Sequence, residues 1–189
     1  KHWSRGLGDV YKRQGENREK YLKFVVLDPW YRFYFHDKSS FDYCRTVKDT
    51  KLEIKKFSND DAEGYEKLLK ISKDIFDIGF TQLSDKPFNS FWFMCKQIPA
   101  LIKLKAHLTV SQLVGRYLKN PKIRSAFSIH PLLVGGNPFN TTSIYALIHY
   151  LERNWGVYFC MGGTGKIITE LKKLMLRQKI EIKLNIDIK

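Results

Sequence analysis

Residues 128–174 read "SIHPLLVGGNPFNTTSIYALIHYLERNWGVYFCMGGTGKIITELKKL" and contain two glycine pairs, each placed just before a helical pattern. The pairs are Gly135-Gly136 and Gly162-Gly163, and apolar residues after each pair recur at three- and four-residue spacing. A glycine turn ahead of a helix can expose backbone N–H groups to a phosphate. The alternative is a turn that only lets the helix pack closely, so the pattern predicts two helices and leaves their purpose open.

Both standard nucleotide-binding motifs are incomplete in this stretch. A phosphate-binding loop at Gly165-Lys166 needs a glycine at the position of Cys160 and Ser or Thr at the position of Ile167. A dinucleotide fingerprint at residues 163–165 needs a further glycine or alanine at the position of Ile168. The spacing therefore assigns no nucleotide site to these residues.

Length and composition indicate one folded domain. The chain has 189 residues, of which 43% are hydrophobic and 14% aromatic, enough for a substantial core. It has neither a signal peptide nor an apolar run near the roughly 18 residues of a spanning helix, so we expect neither secretion nor a transmembrane segment. The cysteines are scattered without metal-ligand spacing, which fits a reducing compartment and predicts no metal site; they are Cys44, Cys95 and Cys160.

The formal net charge of +14 suggests a polyanionic partner, either nucleic acid or anionic lipid. Part of this charge lies in residues 1–14, where "DVYKRQ" (9–14) matches the translation of a sequencing-library adapter. We therefore interpret residues 1–14 as adapter-derived. They carry a net +3, which leaves +11 for the remainder.

A small antiparallel β-meander is predicted near the start of the chain. Apolar and aromatic runs at residues 24–27, 31–35 and 40–44 read as strands. Asp28-Pro29 and residues 36–39 interrupt them as turns.

Helix-start signals follow the predicted meander. Ser58 predicts the N-cap of a long helix that ends near Gly79. Thr109 and Gln112 have the spacing of a capping box, and Asn120-Pro121 starts a short helix in the preferred manner.

Two further segments have distinctive patterns. Residues 180–188 alternate apolar and polar side chains, which predicts a half-buried strand that needs a sheet to join. Residues 91–108 combine apolar side chains with lysines, which is typical of a helix in a membrane interface or of a core helix with a solvated face.

Several phrases together carry a resemblance to a known family. "LLVGGNPF" (132–139) and "SIYALIHYLE" (143–152) follow "LDPWYRFYF" (27–35) and "FSNDDAEGYEKLL" (57–69) in order. With these phrases the chain resembles the bacterial and fungal phytoene desaturases, flavin-dependent enzymes of carotenoid biosynthesis. The resemblance extends from about Leu22 to Lys189.

The resemblance implies a fold and a domain organisation. We expect an α+β fold with mixed helices and a small β-meander, forming the substrate-binding part of a Rossmann-type, amine-oxidase-like flavoprotein whose dinucleotide-binding core is missing from this chain. Residues 15–160 are then a helical, membrane-facing substrate region. Residues 161–189 are a helix and a strand returning to the flavin domain.

The resemblance also implies a cofactor, a substrate and site residues. The cofactor is FAD in the intact protein, the substrate is phytoene or a related carotenoid, and Ile188 lies against the adenine. Arg124 is a catalytic candidate that either stabilises developing charge or has no chemical role. His130 is either near the substrate channel or hydrogen-bonded in the core. The expected channel residues are Phe127, His130, Gly135, Gly136, Asn137, Phe139 and Tyr145.

A lipid-dissolved substrate favours a peripheral location on the cytoplasmic side of the membrane, with bilayer lipid as a partner. One alternative is a related flavoprotein acting on another carotenoid or isoprenoid, such as an isomerase or a ketolase. Another is a basic nucleic-acid-binding module. The Lys and Arg residues of this chain are dispersed without a nucleic-acid recognition motif, so we expect no nucleic acid partner.

Overall fold

The computed structural model describes residues 11–82, 99, 102 and 104–187. The chain divides into two compact units: a larger one from Asp28 to Val157 and a smaller one that joins the residues up to Leu27 to those from Tyr158 onward. Most of the predicted amphipathic segment at 91–108, and the predicted adenine contact Ile188, lie outside the described residues.

The larger unit is mainly helical. The helices are α1 (Val47–Lys55), α2 (Asn59–Ile75), α3 (Val110–Tyr117), α4 (Pro121–Phe127) and α5 (Leu147–Trp155). A π-helical turn, Phe76–Gln82, continues α2. Two short 3-10 turns follow α4, at His130–Val134 and Ser143–Ala146.

The predicted helix starts are confirmed by their capping hydrogen bonds. The Ser58 hydroxyl accepts from the N–H of Asp61 at 3.2 Å. Thr109 and Gln112 form both hydrogen bonds of a capping box, and Asn120 caps α4 ahead of Pro121. Each cap satisfies N–H groups that have no partner within the helix, which is why these residues mark the boundaries.

Three predicted strands form, as β1 (Phe24–Val26), β2 (Tyr31–Tyr34) and β3 (Ser40–Tyr43), but the meander itself is wrong. β2 pairs with β3 across a local hairpin, whereas β1 pairs antiparallel with β4 (Tyr158–Cys160). The described part of the chain thus has two separate two-stranded sheets. The partner of β1 is more than 130 residues away in sequence, so no local turn signal identifies it.

Aromatic rings dominate the core of the larger unit. Phe127 lies between Tyr43 and Tyr65, with ring centroids 5.0 Å from each, and all three side chains are almost fully buried. Ring pairs at this separation add to the stabilisation from burial, because the edge of one ring meets the face of another. The hairpin, α2 and α4 therefore share one core.

The smaller unit contains β1, β4 and α6 (Thr164–Arg177), the helix predicted after the second glycine pair. Its buried cluster consists of Tyr11, Leu22, Cys160 and Leu174. Tyr11 belongs to the segment interpreted as adapter-derived, and that interpretation stays a prediction. Residues 180–187 form no strand, because an alternating pattern needs a neighbouring strand and the described residues supply none.

Within the described residues, each helix is too short or too polar to span a bilayer.

Candidate functional site

A cleft of about 280 Å³ opens on the surface of the larger unit beside α4 and the first glycine pair. Its walls are mostly apolar, with three serine hydroxyls and one guanidinium group. The lining residues are Ser111, Pro121, Arg124, Ser125, Ser128, Ile129, Leu132, Pro138 and Phe139. An apolar cleft with a few polar groups suits a largely hydrocarbon ligand.

Arg124 supplies the cationic group of this cleft. Its side chain is exposed, and among the residues that the structure describes its guanidinium has no hydrogen-bond or ion-pair partner. A Cβ at Gly115 would lie 2.7 Å from an Arg124 Nη atom. Because Gly115 of α3 has no side chain, the Arg124 guanidinium can pack against this helix.

The turn at residues 130–134 forms another wall. Gly135 ends it with φ of 75°, and the N–H of Gly136 donates to the Pro131 carbonyl at 2.8 Å. A left-handed φ is favourable only for residues such as glycine, which accounts for the first of the two glycines. The Leu132 side chain stays 60% exposed on the cleft side.

Asn137 and Phe139 follow this turn in the chain, and Phe139 lines the cleft. The Asn137 side-chain oxygen accepts from the N–H of Phe139 at 2.9 Å, which fixes the local loop. The Phe139 ring is 69% exposed. Of the residues proposed from sequence, the structure thus brings Arg124 and Phe139 together in the cleft, with the glycine pair and Asn137 beside them.

Phe139 is the one predicted channel residue among the lining residues of this cleft, and the other six, among them Phe127, His130 and Tyr145, are not part of the lining. Phe127 and His130 are 1% and 0% exposed, because both belong to the aromatic core behind the turn. Tyr145, on the turn Ser143–Ala146, is 37% exposed. For His130 the structure supports the hydrogen-bonded core alternative.

A buried carboxylate connects the turn to the rest of the unit. Glu152 of α5 accepts from the Tyr31 hydroxyl at 2.6 Å and contacts His130 Nε2 at 2.9 Å. His130 and Glu152 are 0% and 7% exposed. Burial, followed by the hydrogen bond to Glu152, raises the pKa of Tyr31 well above its usual value, so the phenol stays protonated and donates.

His149 lies one helical turn before Glu152 and packs on His130, with ring centroids 3.9 Å apart. Its Nε2 donates to the Phe127 carbonyl at 3.0 Å, because a carbonyl can only accept. Burial, and then the neighbouring His130, lower the pKa of His149 well below its usual value. The Nδ1 atoms of both histidines have no hydrogen-bond partner in the described part of the chain.

Arg153, the next residue of α5, forms a separate polar cluster. Its guanidinium donates to the hydroxyls of Tyr65 at 2.6 Å and Thr50 at 2.8 Å, and to the carbonyls of Cys44 and Arg45. It also lies 4.4 Å from the Trp30 ring centroid. Burial raises the pKa of Tyr65 to about 12. This arginine therefore joins α5 to the ends of β3 and α1.

Sequence reasoning did not identify these polar clusters. Glu152 and Arg153 stand in an amphipathic pattern where charged residues ordinarily face solvent. The one indication in the sequence is the three-residue spacing of His149 and Glu152, which places both side chains on the same face of a helix. Gly115 was also missed, since an isolated glycine in a helix indicates close packing without naming the neighbour.

The class of protein follows from comparison with known sequences. No family model matches the chain. Over nearly all of its length, however, the chain is homologous to carotenoid desaturases, which are oxidoreductases of carotenoid biosynthesis.

The relatives are phytoene desaturases. The chain is 40% identical to a lycopene-forming phytoene desaturase of Pseudescherichia vulneris over 179 residues, and 38% identical to the one from Pantoea ananas. It is 30% identical over 182 residues to a neurosporene-forming phytoene desaturase of Cereibacter sphaeroides. These matches cover 95–96% of the chain and 35–36% of each relative, so the chain spans about a third of the proteins it matches.

Proposed function

We propose that the intact protein containing this chain is an FAD-dependent phytoene desaturase. The observation that carries the proposal is the identity of 40% over 95% of the chain to a phytoene desaturase. The apolar cleft beside "LLVGGNPF" supports it, because a hydrocarbon substrate offers no charged group and must be held by shape and apolar contact.

Each desaturation would take one hydride and one proton from adjacent carbons, and the electron pair left by the proton would form the new double bond. In the overall balance FAD, when bound, would accept both the hydride and the proton and become FADH2, which supplies the two-electron acceptor that protein side chains lack. The role of this chain is then to orient the polyene and exclude water. Leu132 and Phe139 provide exposed apolar walls for that purpose.

Arg124 is proposed as a fixed positive charge at the cleft. A guanidinium stays protonated in proteins, so Arg124 cannot accept the departing proton. As a fixed cation it would instead stabilise negative charge that develops on the bound electron acceptor. On this basis Arg124→Met lowers activity more than Arg124→Lys does.

The described residues do not form a complete FAD site. The second glycine pair precedes α6, and Gly163 has a φ of 80° at its start. The nearby cation Lys166 already pairs with Glu170 at 2.8 Å, and the dinucleotide spacing is absent. We therefore assign FAD binding, with its Rossmann-type domain, to the part of the intact protein outside this chain, with Ile188 as the proposed contribution from this chain.

Peripheral attachment to the cytoplasmic side of the membrane is part of the proposal. It is supported by the net charge, which is +14 for the chain and +11 without residues 1–14, and by the exposed apolar turn that carries Leu132, Leu133 and Val134. Replacing Lys96, Lys103 and Lys105 by Glu is expected to weaken sedimentation with anionic liposomes. Binding that stays unchanged at low and moderate salt would contradict a role for these lysines.

Lys105 of this set already has a neighbour. Its ammonium donates to the Tyr117 hydroxyl at 2.9 Å. The single variant Lys105→Glu therefore also reports a folding effect, and thermal unfolding of each variant is the necessary control.

Expression of the intact gene in cells that accumulate phytoene tests the function. We expect conversion of colourless phytoene to coloured carotenes in the extract. Unconverted phytoene in cells that contain folded, flavin-loaded protein would contradict the proposal. A different coloured product from another carotenoid precursor would favour the related-flavoprotein alternative.

A further inference from the structure

The turn that forms one wall of the cleft is a compact hydrogen-bonded unit. The N–H of Leu132 donates to the Ile129 carbonyl at 2.8 Å, and the N–H of Gly135 donates to the Leu132 carbonyl at 3.1 Å. A turn closed in this way shifts as one piece when its base shifts. The position of Leu132 therefore depends on what holds the first residue, His130.

The base of the turn is held by a buried carboxylate. His130 Nε2 meets Glu152 Oε2 at 2.9 Å, and Glu152 Oε1 accepts from Tyr31 at 2.6 Å. Both carboxylate oxygens of Glu152 lie within hydrogen-bond distance of a partner, so one side chain of α5 ties together the turn and β2. Hydrogen bonds in a buried environment are stronger and geometrically better defined than exposed ones.

We propose that Glu152 is a positioning residue for the substrate cleft. By holding His130 from the inside, it sets the place of the turn whose outer side presents Leu132 to the polyene. This inference rests on the proposed desaturase function. The relation is indirect, because Glu152 is buried and does not line the cleft.

Arg153 provides a matched control on the same helix. It also makes several partly buried hydrogen bonds, but these reach Tyr65, Thr50 and the end of β3, and none reaches the turn. Removing either side chain costs hydrogen bonds of the same kind. Only the loss of Glu152 releases the base of the cleft wall.

The test compares Glu152→Ala, Glu152→Gln and Arg153→Met in the intact, FAD-loaded protein with phytoene in liposomes. We expect Glu152→Ala to raise the apparent KM about tenfold with little change in kcat, since a loss of binding shared by ground and transition states acts on KM. Arg153→Met is expected to lower the unfolding temperature and leave KM unchanged.

Glu152→Gln keeps one accepting oxygen, so its effect is expected to have the same direction and a smaller size. This variant carries the test if Glu152→Ala does not fold. An unchanged KM in both Glu152 variants, or an equal rise in Arg153→Met, would overturn the proposal, because either result makes Glu152 merely structural.

Hydrogen exchange at residues 130–136 gives a readout independent of activity. We expect faster exchange there in Glu152→Ala than in wild type or Arg153→Met. Equal exchange in all three proteins would overturn the anchoring role. If folded wild-type protein does not convert phytoene, the proposed function fails, and the exchange comparison alone decides whether Glu152 holds the turn.

Discussion

His149 is a fully buried imidazole whose only described hydrogen bond is the donation from Nε2 to the Phe127 carbonyl. Protonation would place a positive charge next to His130 in an apolar core, so the folded state favours the neutral form. The unfolded chain has no such restriction and takes up a proton near the usual pKa of about 6.5. The histidine thus links stability to pH.

The expected direction follows from proton binding. Since the pKa of His149 is lowered in the folded state, the unfolded state binds more protons below pH 6.5, and stability falls as the pH drops from there. The slope contributed by one such group approaches about 1.4 kcal/mol per pH unit. His149→Gln, which can still donate to the carbonyl, is expected to flatten the curve, as measured by urea unfolding between pH 7 and about 5. Identical slopes in both proteins would contradict this account.

At the residue scale, sequence reasoning located surface features better than buried polar ones. The place of Gly135 in a left-handed turn follows from local chemistry, because φ preference is a property of the residue itself. The burial of Glu152 and His149 depends on which rings close around α5. That arrangement arises from tertiary contacts, so a single-sequence pattern of charges at helical spacing does not reveal it.

At the element scale, Asp61 joins helix α2 to the loop between α3 and α4. Its carboxylate is buried and accepts from the backbone N–H groups of Lys119 at 2.7 Å and Asn120 at 2.8 Å. Asp61 is also the third residue after the N-cap Ser58. Its burial is explained by the two N–H groups that would otherwise lack partners.

We expect Asp61→Asn to destabilise the larger unit by about 1–3 kcal/mol, because an amide accepts at only one of the two positions and turns an N–H group toward the other donor. Asp60→Asn is the matched control, since Asp60 is exposed on the same first turn. Chemical denaturation monitored by tryptophan fluorescence measures both. Equal loss of stability in the two variants would show that the effect comes from charge near the helix start.

Elements with local signals were predicted well, and those with distant partners were not. Caps such as Ser58 and Thr109 act on the next three residues, so sequence spacing is sufficient to find them. The pairing of β1 with β4 is long-range, and the glycines that flank the three-residue β4, Gly156 and Gly162, do not indicate its partner. The strand expected at residues 180–188 has a clear alternating pattern, but no strand forms among its described residues because no neighbouring strand pairs with it there.

At the scale of the whole molecule, the smaller unit exposes many apolar side chains for its size. The residues that share this property include Phe159, Met161, Ile168, Leu184 and Ile186, exposed by 46–70%. Apolar surface of this extent favours association or a covering partner. We therefore expect the 189-residue chain to be poorly soluble by itself.

The isolated chain is also expected to bind no flavin. A flavin pyrophosphate is held by a glycine-rich turn with free N–H groups at a helix start, and the required spacing is absent from residues 160–168. Purifying the chain after expression with excess FAD and recording the visible absorption measures this directly. A stoichiometrically yellow protein would contradict the expectation and locate a cofactor site within these residues.

The proposed reaction of the intact protein is hydride transfer from phytoene to its flavin. Anaerobic mixing of the purified, flavin-loaded protein with phytoene in liposomes tests it most directly, with flavin absorbance and carotenoid composition followed together. We expect loss of the oxidised-flavin absorbance, with one flavin reduced for each double bond formed. New double bonds formed while the flavin stays oxidised, or phytoene left unchanged by folded and flavin-loaded protein, would contradict it.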